Sequence, residues 1–372
     1  MTVARDGVPT RTSLPLEAVH AEHGAVFIDF AGWRMPVRYG SELAEHRAVR
    51  EAAGIFDLSH MGEIEVSGPE AARMLDFALV GRLSAVPVGR ARYTMLCHDN
   101  GGVLDDLVVY RLAEQRFLVV ANAANAEIVY ILLRDRAHGF AAEVANRSTD
   151  YALIAVQGPR SAAIVGAVTD VDPSPLKYYA GMPARIAGVD VLLARTGYTG
   201  EDGFEVYCAP ERAADIWRAL SVAGAAHGLL PAGLACRDTL RLEAGMPLYG
   251  NELHVGVTPF DVGLGRVVKF DKPGTFVGRT ALAAREQVGG GRTLVGLIGS
   301  GRRAGRHGYG IYADDRAVGV VTSGALSPTL GVPIAMAMVD SDHAAPGTAL
   351  TIDVRGRREP VETTALPFYS RS

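Results

Sequence analysis

Three segments of the chain share one layout, a short β-like run followed by a proline and then by a helical pattern. They are IEVSGPEAARML at 64–75, LIAVQGPRSAAIV at 153–165 and FEVYCAPERAADIWRAL at 204–220. A proline suits the first turn of a helix because its missing N–H would have no partner there. The repetition predicts repeated α+β units and argues against a single long α/β barrel.

The composition changes after residue 285, where the triple glycine at 289–291 is the best candidate for a linker. Beyond it the chain has only short β-like runs, such as TLVGLI, IAMAMVD and ALTIDV, separated by Gly, Pro and Asp turns. This spacing is typical of small barrels or sandwiches. We therefore expect an all-β domain at 292–372.

Charge and cysteine content exclude several classes of protein. The 372 residues carry a formal net charge of -4, whereas a nucleic-acid-binding protein favours a basic patch. No apolar run approaches the roughly 18 residues of a spanning helix, and the N-terminus has no secretory apolar core. Cys97, Cys208 and Cys236 lie far apart and form no CxxC pair, which argues against a disulfide framework and structural zinc. We expect a cytoplasmic protein with no nucleic-acid or membrane partner.

The most informative acidic residues are Asp105 and Asp106, which lie inside the β-like run NGGVLDDLVVYRL at 100–112. Aspartate is depleted in strands, and alternation sends adjacent side chains to opposite faces. The two carboxylates therefore cannot serve one substrate as an acid/base pair. An unpaired buried carboxylate is costly, so at least one of them is expected in a pocket with polar partners. The alternative is a purely structural role, in which an aspartate caps the preceding NGG turn, and this role suits Asp105 better than Asp106.

Two further stretches hold candidate polar groups. In RTGYTGEDGFEVY at 195–207, Glu205 stands between Phe204 and Val206 at the start of a predicted strand, so its side chain points to the face opposite theirs. The other acids of this loop are expected to be exposed to solvent. A helix predicted at about 233–245 places Arg237 and Arg241 four residues apart on one face. A forked guanidinium suits a carboxylate or a planar heterocycle, although an amphipathic helix with ion pairs explains the same pattern.

Other familiar patterns do not carry a function. His20 and His23 in HAEH lack the glutamate and spacing of a zinc-binding HExxH motif, and we interpret them as helix-surface histidines. The chain contains no GxGxxG, GxxxxGK[ST] or GxSxG, which excludes Rossmann, P-loop and hydrolase-elbow interpretations.

Eight stretches in order along the chain form a recognisable set. They are FAGWRMPVRYG (30–40), FDLSHMGE (56–63), NGGVLDDLVVY (100–110), VVANAAN (119–125), VQGP (156–159), RTGYTGEDGFE (195–205), PAGLACRDTLRLEAGMPLYGNE (231–252) and TSGALSPTLGVPIAMAMVD (322–340). Taken together they resemble the T-protein family of the glycine cleavage system, whose members are aminomethyltransferases. The resemblance covers nearly the whole chain without a large insertion.

The resemblance implies an α+β fold with three domains in a cloverleaf-like arrangement around a central folate cavity. Two interleaved α+β domains would occupy 1–285, roughly 1–60 with 145–230 and 61–144 with 231–285. The C-terminal all-β barrel would occupy 292–372, in agreement with the pattern of the tail.

The resemblance also implies a reaction. An aminomethyl group would pass from the dihydrolipoyl arm of a lipoylated H-protein to tetrahydrofolate, giving 5,10-methylenetetrahydrofolate, ammonia and the reduced arm. Tetrahydrofolate would be a co-substrate, and no metal is expected because the carbon is already at the right oxidation level.

Matching positions imply the site residues. The catalytic aspartate of the family falls on Asp106, which the alternation argument also favours. Glu205 and Arg237 match acidic and basic folate contacts, and a carboxylate suits the adjacent N–H donors of a pterin. The remaining implied cavity positions are Met61, Tyr93, Tyr110, Asn122 and Tyr198.

The sequence departs from the family pattern at two places. Met246 stands where some relatives carry Tyr, so one wall contact is expected to be thinner. The terminus PFYSRS at 367–372 matches loosely, so either Tyr369 or Arg371 is expected to reach the folate.

Two rival functions share the same fold. The nearest is another tetrahydrofolate-dependent demethylase, which would keep much of the folate pocket. A rival of another class is a non-catalytic folate-binding accessory protein in iron–sulfur cluster assembly. That group typically shows a KGCYxGQE-like string, which this chain lacks.

Overall fold

The computed structural model describes residues 13–371, which form mixed helices and strands followed by a β-barrel. The first half contains α1 (Glu17–Glu22), β1 (Val26–Phe30), β2 (Trp33–Arg38), α2 (Glu42–Glu51), β3 (Ala53–Asp57), β4 (Gly62–Ser67), α3 (Ala71–Ala78), β5 (Ala91–Cys97), β6 (Val103–Ala113), β7 (Arg116–Ala121), α4 (Ala126–Arg136), β8 (Glu143–Asn146), β9 (Ala152–Gln157) and α5 (Ser161–Gly166). The second half contains β10 (Ala180–Ile186), β11 (Val189–Arg195), β12 (Gly203–Cys208), α6 (Ala213–Gly224), β13 (Leu229–Pro231), α7 (Leu234–Glu243), α8 (Arg279–Val288), β14 (Arg292–Gly299), β15 (Gly310–Ala313), β16 (Arg316–Leu326), β17 (Pro333–Asp340), β18 (Ala349–Asp353) and β19 (Arg358–Thr364).

Two sheets form the N-terminal part of the fold. The first has six strands in the order β10-β11-β12-β9-β3-β13, antiparallel except for the parallel β3–β13 pair. Helices α5 and α6 contribute to the apolar core with this sheet. The second sheet has the order β5-β6-β7-β4-β8, and α3 and α4 contribute to its core. Because β3 and β9 lie on either side of the second sheet in sequence, the first sheet is built from both ends of this region.

The inner faces of the two sheets share a third core. Leu118 of β7 and Leu153 of β9 lie in it, together with Phe56 of β3. The backbone also links the edge strand β10 to the turn just before β5, where the N–H of Gly181 donates to the carbonyl oxygen of Gly89 at 2.9 Å. This shared packing fixes the relative positions of β6 and β12, which carry the candidate acids.

The C-terminal strands close into a barrel of order β14-β17-β16-β15-β18-β19, because β14 pairs with both β17 and β19. The predicted all-β tail is thus confirmed, and the α+β fold class with it. Strand β15 was not among the predicted runs, since its four residues, GIYA, carry little pattern. The assignment of residues to interleaved domains within 1–285 stays a prediction, although the division of strands between the two sheets supports it.

The prolines of the three repeated segments lie just before the α-helices. Pro69 and Pro159 occupy turns ahead of α3 and α5, and Pro210 begins a single 3-10 turn ahead of α6. The expectation of a strand-to-helix unit is met at all three places, but the proline belongs to the entry turn. The interpretation of His20 as a surface residue is wrong: it is fully buried, and Asp57 and Tyr39 both lie 2.8 Å from its ring nitrogens.

A buried ionic cluster joins α2, α7 and the barrel. The Glu243 carboxylate accepts from Arg50 at 2.8 Å, from the Thr329 hydroxyl at 2.7 Å and from the Ser327 hydroxyl at 2.5 Å. His46 also lies 3.1 Å from it. Burial by itself would raise the pKa of Glu243, but the hydrogen bonds and the charge of His46 outweigh it and lower the pKa to about 2.

No helix within residues 13–371 is both long enough and apolar enough to span a membrane.

The depressed pKa of Glu243 makes the folded state sensitive to acid. Its stabilising effect is complete above the ordinary glutamate value of 4.5 and is lost as the pH falls towards about 2. A shift of this size corresponds to about 3 kcal/mol. We expect Glu243→Gln to lower the free energy of unfolding in urea by about that amount at pH 7, with the difference from the parent protein narrowing below pH 4.5.

The exposed Glu286 on α8 provides the control. Glu286→Gln should leave the free energy of unfolding unchanged across the same pH range. A Glu243→Gln deficit that stays constant down to pH 3 would contradict the assignment.

Candidate functional site

A cavity of about 700 Å³ lies between the two sheets, helix α7 and the β1–β2 hairpin. Glycine allows its walls to meet: a Cβ on Gly233, at the start of α7, would lie 2.3 Å from the carbonyl oxygen of Val37 on β2. Gly233 also donates its N–H to Glu45 at 3.0 Å. Close contact between α7 and β2 therefore requires glycine at this position, and Val37 becomes part of the cavity wall.

Asp106 faces this cavity from the middle of β6. The Tyr93 hydroxyl on the neighbouring strand β5 donates to its Oδ2 at 3.0 Å, and the Asn122 side-chain amide donates to its Oδ1 at 2.7 Å. Tyr93 and Asn122 line the cavity as well. The carboxylate is therefore held in one orientation by two donors that themselves reach the same space.

Asp105 points to the opposite face and is fully buried. Its carboxylate accepts from the backbone N–H of Asn122 at 3.1 Å, from the Asn122 amide at 2.8 Å and from the Asn125 amide at 2.7 Å. It does not cap the NGG turn, where Asn100 accepts from the Gly102 N–H. Asp105 instead anchors the loop that brings Asn122 to Asp106.

Burial raises the pKa of both acids. The negative charge of Asp106 adds to the effect on Asp105, while hydrogen bonds from Asn125 and Asn122 oppose it. For Asp106 the hydrogen bonds from Tyr93 and Asn122 lower the pKa but do not cancel the effect of burial. A carboxyl group in this state can hold or release a proton more readily near neutral pH than an exposed aspartate.

Glu205 lies on β12, on another wall of the cavity. Its Oε2 accepts from the Thr196 hydroxyl at 2.5 Å and, more weakly, from Tyr110 at 3.4 Å and Tyr207 at 3.5 Å. Burial raises the pKa of Glu205, whereas the Thr196 hydrogen bond and the charge of Arg237 lower it. Its Oε1 accepts no hydrogen bond from the residues between 13 and 371, so one oxygen remains available to a bound molecule.

The glycine-rich loop before β12 packs tightly around Gln157. A Cβ on Gly197 or Gly203 would lie 1.9 or 2.3 Å from the Gln157 amide group. That amide donates to the carbonyl oxygen of Thr196 at 3.0 Å and accepts from Thr199 at 3.1 Å. The loop glycines thus place Thr196 where its hydroxyl reaches Glu205.

Helix α7 brings the basic group to the cavity. The Arg237 guanidinium lies 4.8 Å from the centre of the Tyr198 ring, and both residues line the space. Burial lowers the pKa of Arg237, and none of its side-chain N–H groups donates to a residue in the described part of the chain. Arg241, one turn later, is instead used by Asp238 at 2.7 Å and Glu252 at 3.0 Å. The predicted ion-pair pattern on this helix therefore applies to Arg241, while Arg237 remains available to a ligand.

The structure brings most of the predicted site residues together. The cavity lining includes Met61, Tyr93, Asp106, Asn122, Tyr198, Glu205, Arg237 and also Met246.

Three of the expected positions lie elsewhere. Tyr110 is buried behind Glu205, where its hydroxyl meets Thr196 at 2.8 Å, so it supports the wall and does not form it. Tyr369 stacks on Arg50 at 4.1 Å, and Arg371 lies 3.8 Å from Asp202. The last two border a separate cleft of about 360 Å³, because the tail crosses the outside of the loop that precedes β12.

Sequence reasoning missed several lining residues, among them His60, Tyr179 and Tyr207. Tyr207 follows Glu205 by two residues on β12, so alternation alone could have identified it. His60 directly precedes Met61 in a stretch that carries the family resemblance, and burial together with the charge of Arg237 lowers its pKa to about 3. Tyr179 has a positive φ of 57° in a loop, a placement that no sequence period indicates.

Residues 13–371 contain no cluster of three or more His, Cys, Asp or Glu side chains arranged to hold a metal ion.

Fold and site together define a class of protein: two paired α+β sheets enclose a cavity lined by acids, arginines and several tyrosines, and a C-terminal β-barrel follows them in the chain. Two family models match the chain, the GCVT N-terminal domain over residues 16–272 and the glycine cleavage T-protein C-terminal barrel domain over residues 292–370. The chain belongs to the glycine cleavage T-protein family, as its sequence motifs predict.

Individual relatives match this chain along nearly its full length. An aminomethyltransferase of Streptomyces coelicolor is 61% identical over 360 residues, covering 96% of this chain and 97% of that protein. An aminomethyltransferase of Bacillus subtilis is 43% identical over 358 residues, covering 96% of this chain and 99% of that protein. The crystal structure of glycine cleavage system aminomethyltransferase T from Bartonella henselae matches with a TM-score of 0.91 and 37% identity, covering 96% of this chain and 98% of that one. The predicted enzyme class, an aminomethyltransferase of the glycine cleavage system, is confirmed.

Removing the Tyr93 hydroxyl tests whether its hydrogen bond affects the pKa of Asp106. Because this bond lowers the pKa of Asp106, Tyr93→Phe should raise that pKa further. A pH titration of aspartate carboxyl carbons by ¹³C NMR would show the shift, with the Asp106→Asn spectrum assigning the signal.

Tyr179→Phe is the matched control, because Tyr179 lines the same cavity but makes no hydrogen bond to Asp106. Its effect on the Asp106 signal should be much smaller. Equal titration curves in the parent protein and in Tyr93→Phe would contradict the assigned role of Tyr93.

Proposed function

We propose that this aminomethyltransferase moves the aminomethyl carbon from the dihydrolipoyl arm of a lipoylated H-protein to tetrahydrofolate. The products would be 5,10-methylenetetrahydrofolate, ammonia and the reduced arm. The observation that carries the proposal is the Asp106 carboxylate, fixed by Tyr93 and Asn122 on the wall of a cavity that also contains Glu205 and Arg237.

The cavity fits a folate in size and in chemistry. Its volume of about 700 Å³ lies within the range of roughly 300–1,000 Å³ usual for small-molecule sites. Glu205 Oε1 and the Arg237 N–H groups provide an acceptor and donors that no described residue uses. Tyr93 and Tyr198 add flat surfaces suited to aromatic rings.

Glu205 and Arg237 would orient the heterocycle. A carboxylate accepts hydrogen bonds from adjacent N–H groups, and such charge-assisted bonds are stronger than neutral ones. Since Thr196 occupies Oε2 at 2.5 Å, we assign Oε1 as the principal acceptor for the pterin. Arg237 would then donate to a carbonyl or carboxylate oxygen of the same molecule.

Asp106 would act at the reacting atoms. A carboxylate in a water-poor cavity stabilises a nearby cation more strongly than the same group in bulk water. It is therefore placed to stabilise the cationic aminomethyl or iminium species as ammonia leaves. Its raised pKa also suits it to hold a proton during this exchange.

The comparisons favour this function over its two rivals. A demethylase would share the folate pocket, but full-length relatives that are 43–61% identical carry the name aminomethyltransferase. The accessory-protein alternative leaves the hydrogen-bonded Asp106 without a purpose. Action in the cytoplasm is part of the proposal and is supported by three buried thiols that form no disulfide, Cys97, Cys208 and Cys236.

Asp106→Asn tests the reaction. The substitution keeps the shape of the side chain but removes its charge, so we expect turnover to fall by about 10²- to 10⁴-fold. The assay supplies aminomethyl-loaded H-protein and tetrahydrofolate and measures ammonia and methylenetetrahydrofolate. Near-parental turnover in a folded variant would refute the assigned role. Turnover of a free methyl donor without any turnover of loaded H-protein would favour the demethylase.

Glu205→Gln tests the orientation of the folate. Hydrogen bonds to a charged group are worth about 1.5–3 kcal/mol, so tetrahydrofolate binding should weaken roughly 10- to 100-fold. Isothermal titration calorimetry would measure the dissociation constant. Asp106→Asn serves as the comparison, because its folate affinity should fall much less than its turnover. A Glu205→Gln variant with unchanged folate affinity would place the heterocycle elsewhere.

A further inference from the structure

The β1–β2 hairpin forms a two-stranded sheet that does not join any of the larger sheets. Alternation along β1 places Val26, Ile28 and Phe30 on one face. Ile28 and Phe30 line the cavity, as does Val37 of β2. The hairpin therefore serves as one wall of the cavity and continues outward from it.

The apolar face of β1 leads from solvent into the protein. Val26, Ile28 and Phe30 are 44%, 40% and 37% exposed, whereas His60, against which the Phe30 ring packs at 5.7 Å, is 4% exposed. Val26 and Phe30 are four residue steps apart, which corresponds to about 13 Å along a strand. Exposed apolar residues in a continuous row are unusual away from interaction sites.

The other face of the hairpin holds this row in place. The Phe27 ring lies 4.2 Å from the guanidinium of Arg34 and 6.5 Å from the ring of His20. His20 is itself fixed between Asp57 and Tyr39 at 2.8 Å from each. The exposed row is thus presented by an anchored element.

The elements that line the cavity differ in chemistry. Glu205, Arg237 and Tyr198 provide charge, hydrogen bonding and a flat ring, which a polar heterocycle needs. The hairpin side offers aliphatic and phenyl surface, and His60 adds no charge at neutral pH because its pKa is lowered to about 3. An alkyl chain loses nothing by lying against such a surface, whereas a pterin would leave its polar groups unpaired.

We propose that the β1 face is the track for the alkyl part of the lipoyl arm, which would lie along Val26, Ile28 and Phe30 and deliver its terminal carbon to the cavity. The inference rests on the proposed function, since that function requires a carrier-bound arm and a folate in the cavity at once. The polar side is used by the heterocycle, so the arm takes the hairpin side. Its cationic end then meets Asp106, the acid held by Tyr93 and Asn122.

The test separates the arm from the carrier protein that bears it. Octanoylated H-protein has an alkyl arm but cannot react, and unmodified H-protein has no arm. We expect the parent protein to bind the octanoylated form more tightly. In the double variant Val26→Ser/Ile28→Ser that advantage should fall by about tenfold or disappear, because the apolar contact surface is lost.

Two further measurements complete the design. The variant should bind tetrahydrofolate with unchanged affinity and show a raised KM for loaded H-protein. Val222→Ser, at an exposed apolar position on α6 away from the cavity, is the matched control and should retain the full advantage of the octanoyl arm.

Several outcomes would overturn the inference. An undiminished octanoyl advantage in the double variant would place the arm on another surface. An equal loss of binding for both forms of H-protein would assign the hairpin to the carrier's surface, and weaker folate binding would assign it to the folate. Failure of the parent protein to turn over loaded H-protein would be a failure of the proposed function, and it is detected independently of these binding measurements.

Discussion

The position of helix α7 is fixed by buried ionic contacts, and the cavity depends on it. Arg241 is held by Glu252 at 3.0 Å and by the Ser323 hydroxyl of the barrel at 2.7 Å. Glu243, two residues later, joins α2 through Arg50 and the barrel through Thr329. Buried charges are costly unless they are fully paired, so this helix has few alternative placements. Arg237, one turn before Arg241, is consequently fixed at the cavity while its own N–H groups stay available.

The two adjacent carboxylates of β6 share one hydrogen-bond donor. Alternation buries Asp105 on one face and exposes Asp106 to the cavity on the other. Asn122 lies 2.8 Å from Asp105 and 2.7 Å from Asp106 through its single side-chain amide nitrogen. Asp105 therefore positions Asn122, and Asn122 in turn positions Asp106, the acid of the proposed reaction. A change at Asp105 would reach the cavity through Asn122 without Asp105 touching a substrate.

The sequence pattern was sufficient to predict those features whose physical cause is local in the chain. The runs of β6 and of the barrel strands β14, β17 and β18 were recognisable from alternation and turns, and the helix at about 233–245 appears as Leu234–Glu243. The opposite orientation of Asp105 and Asp106 also follows from the pleat alone. His20 was misjudged because its partners, Asp57 and Tyr39, lie far along the chain. Tyr369 and Arg371 border a separate cleft because of the path of the tail, which no local period encodes, and a folate contact from either of them stays a prediction.

The sequence by itself determined the α+β units, the all-β tail, the family and the face on which each strand acid lies. These properties depend on residue type, spacing and period, which are all local in the chain. Only the tertiary structure decided that Tyr110 supports Glu205 from behind, that Arg237 is available to a ligand while Arg241 is not, and that the hairpin forms a cavity wall. Those outcomes depend on which distant groups satisfy each buried charge and donor, and that competition is settled only when the sheets, α7 and the barrel pack together.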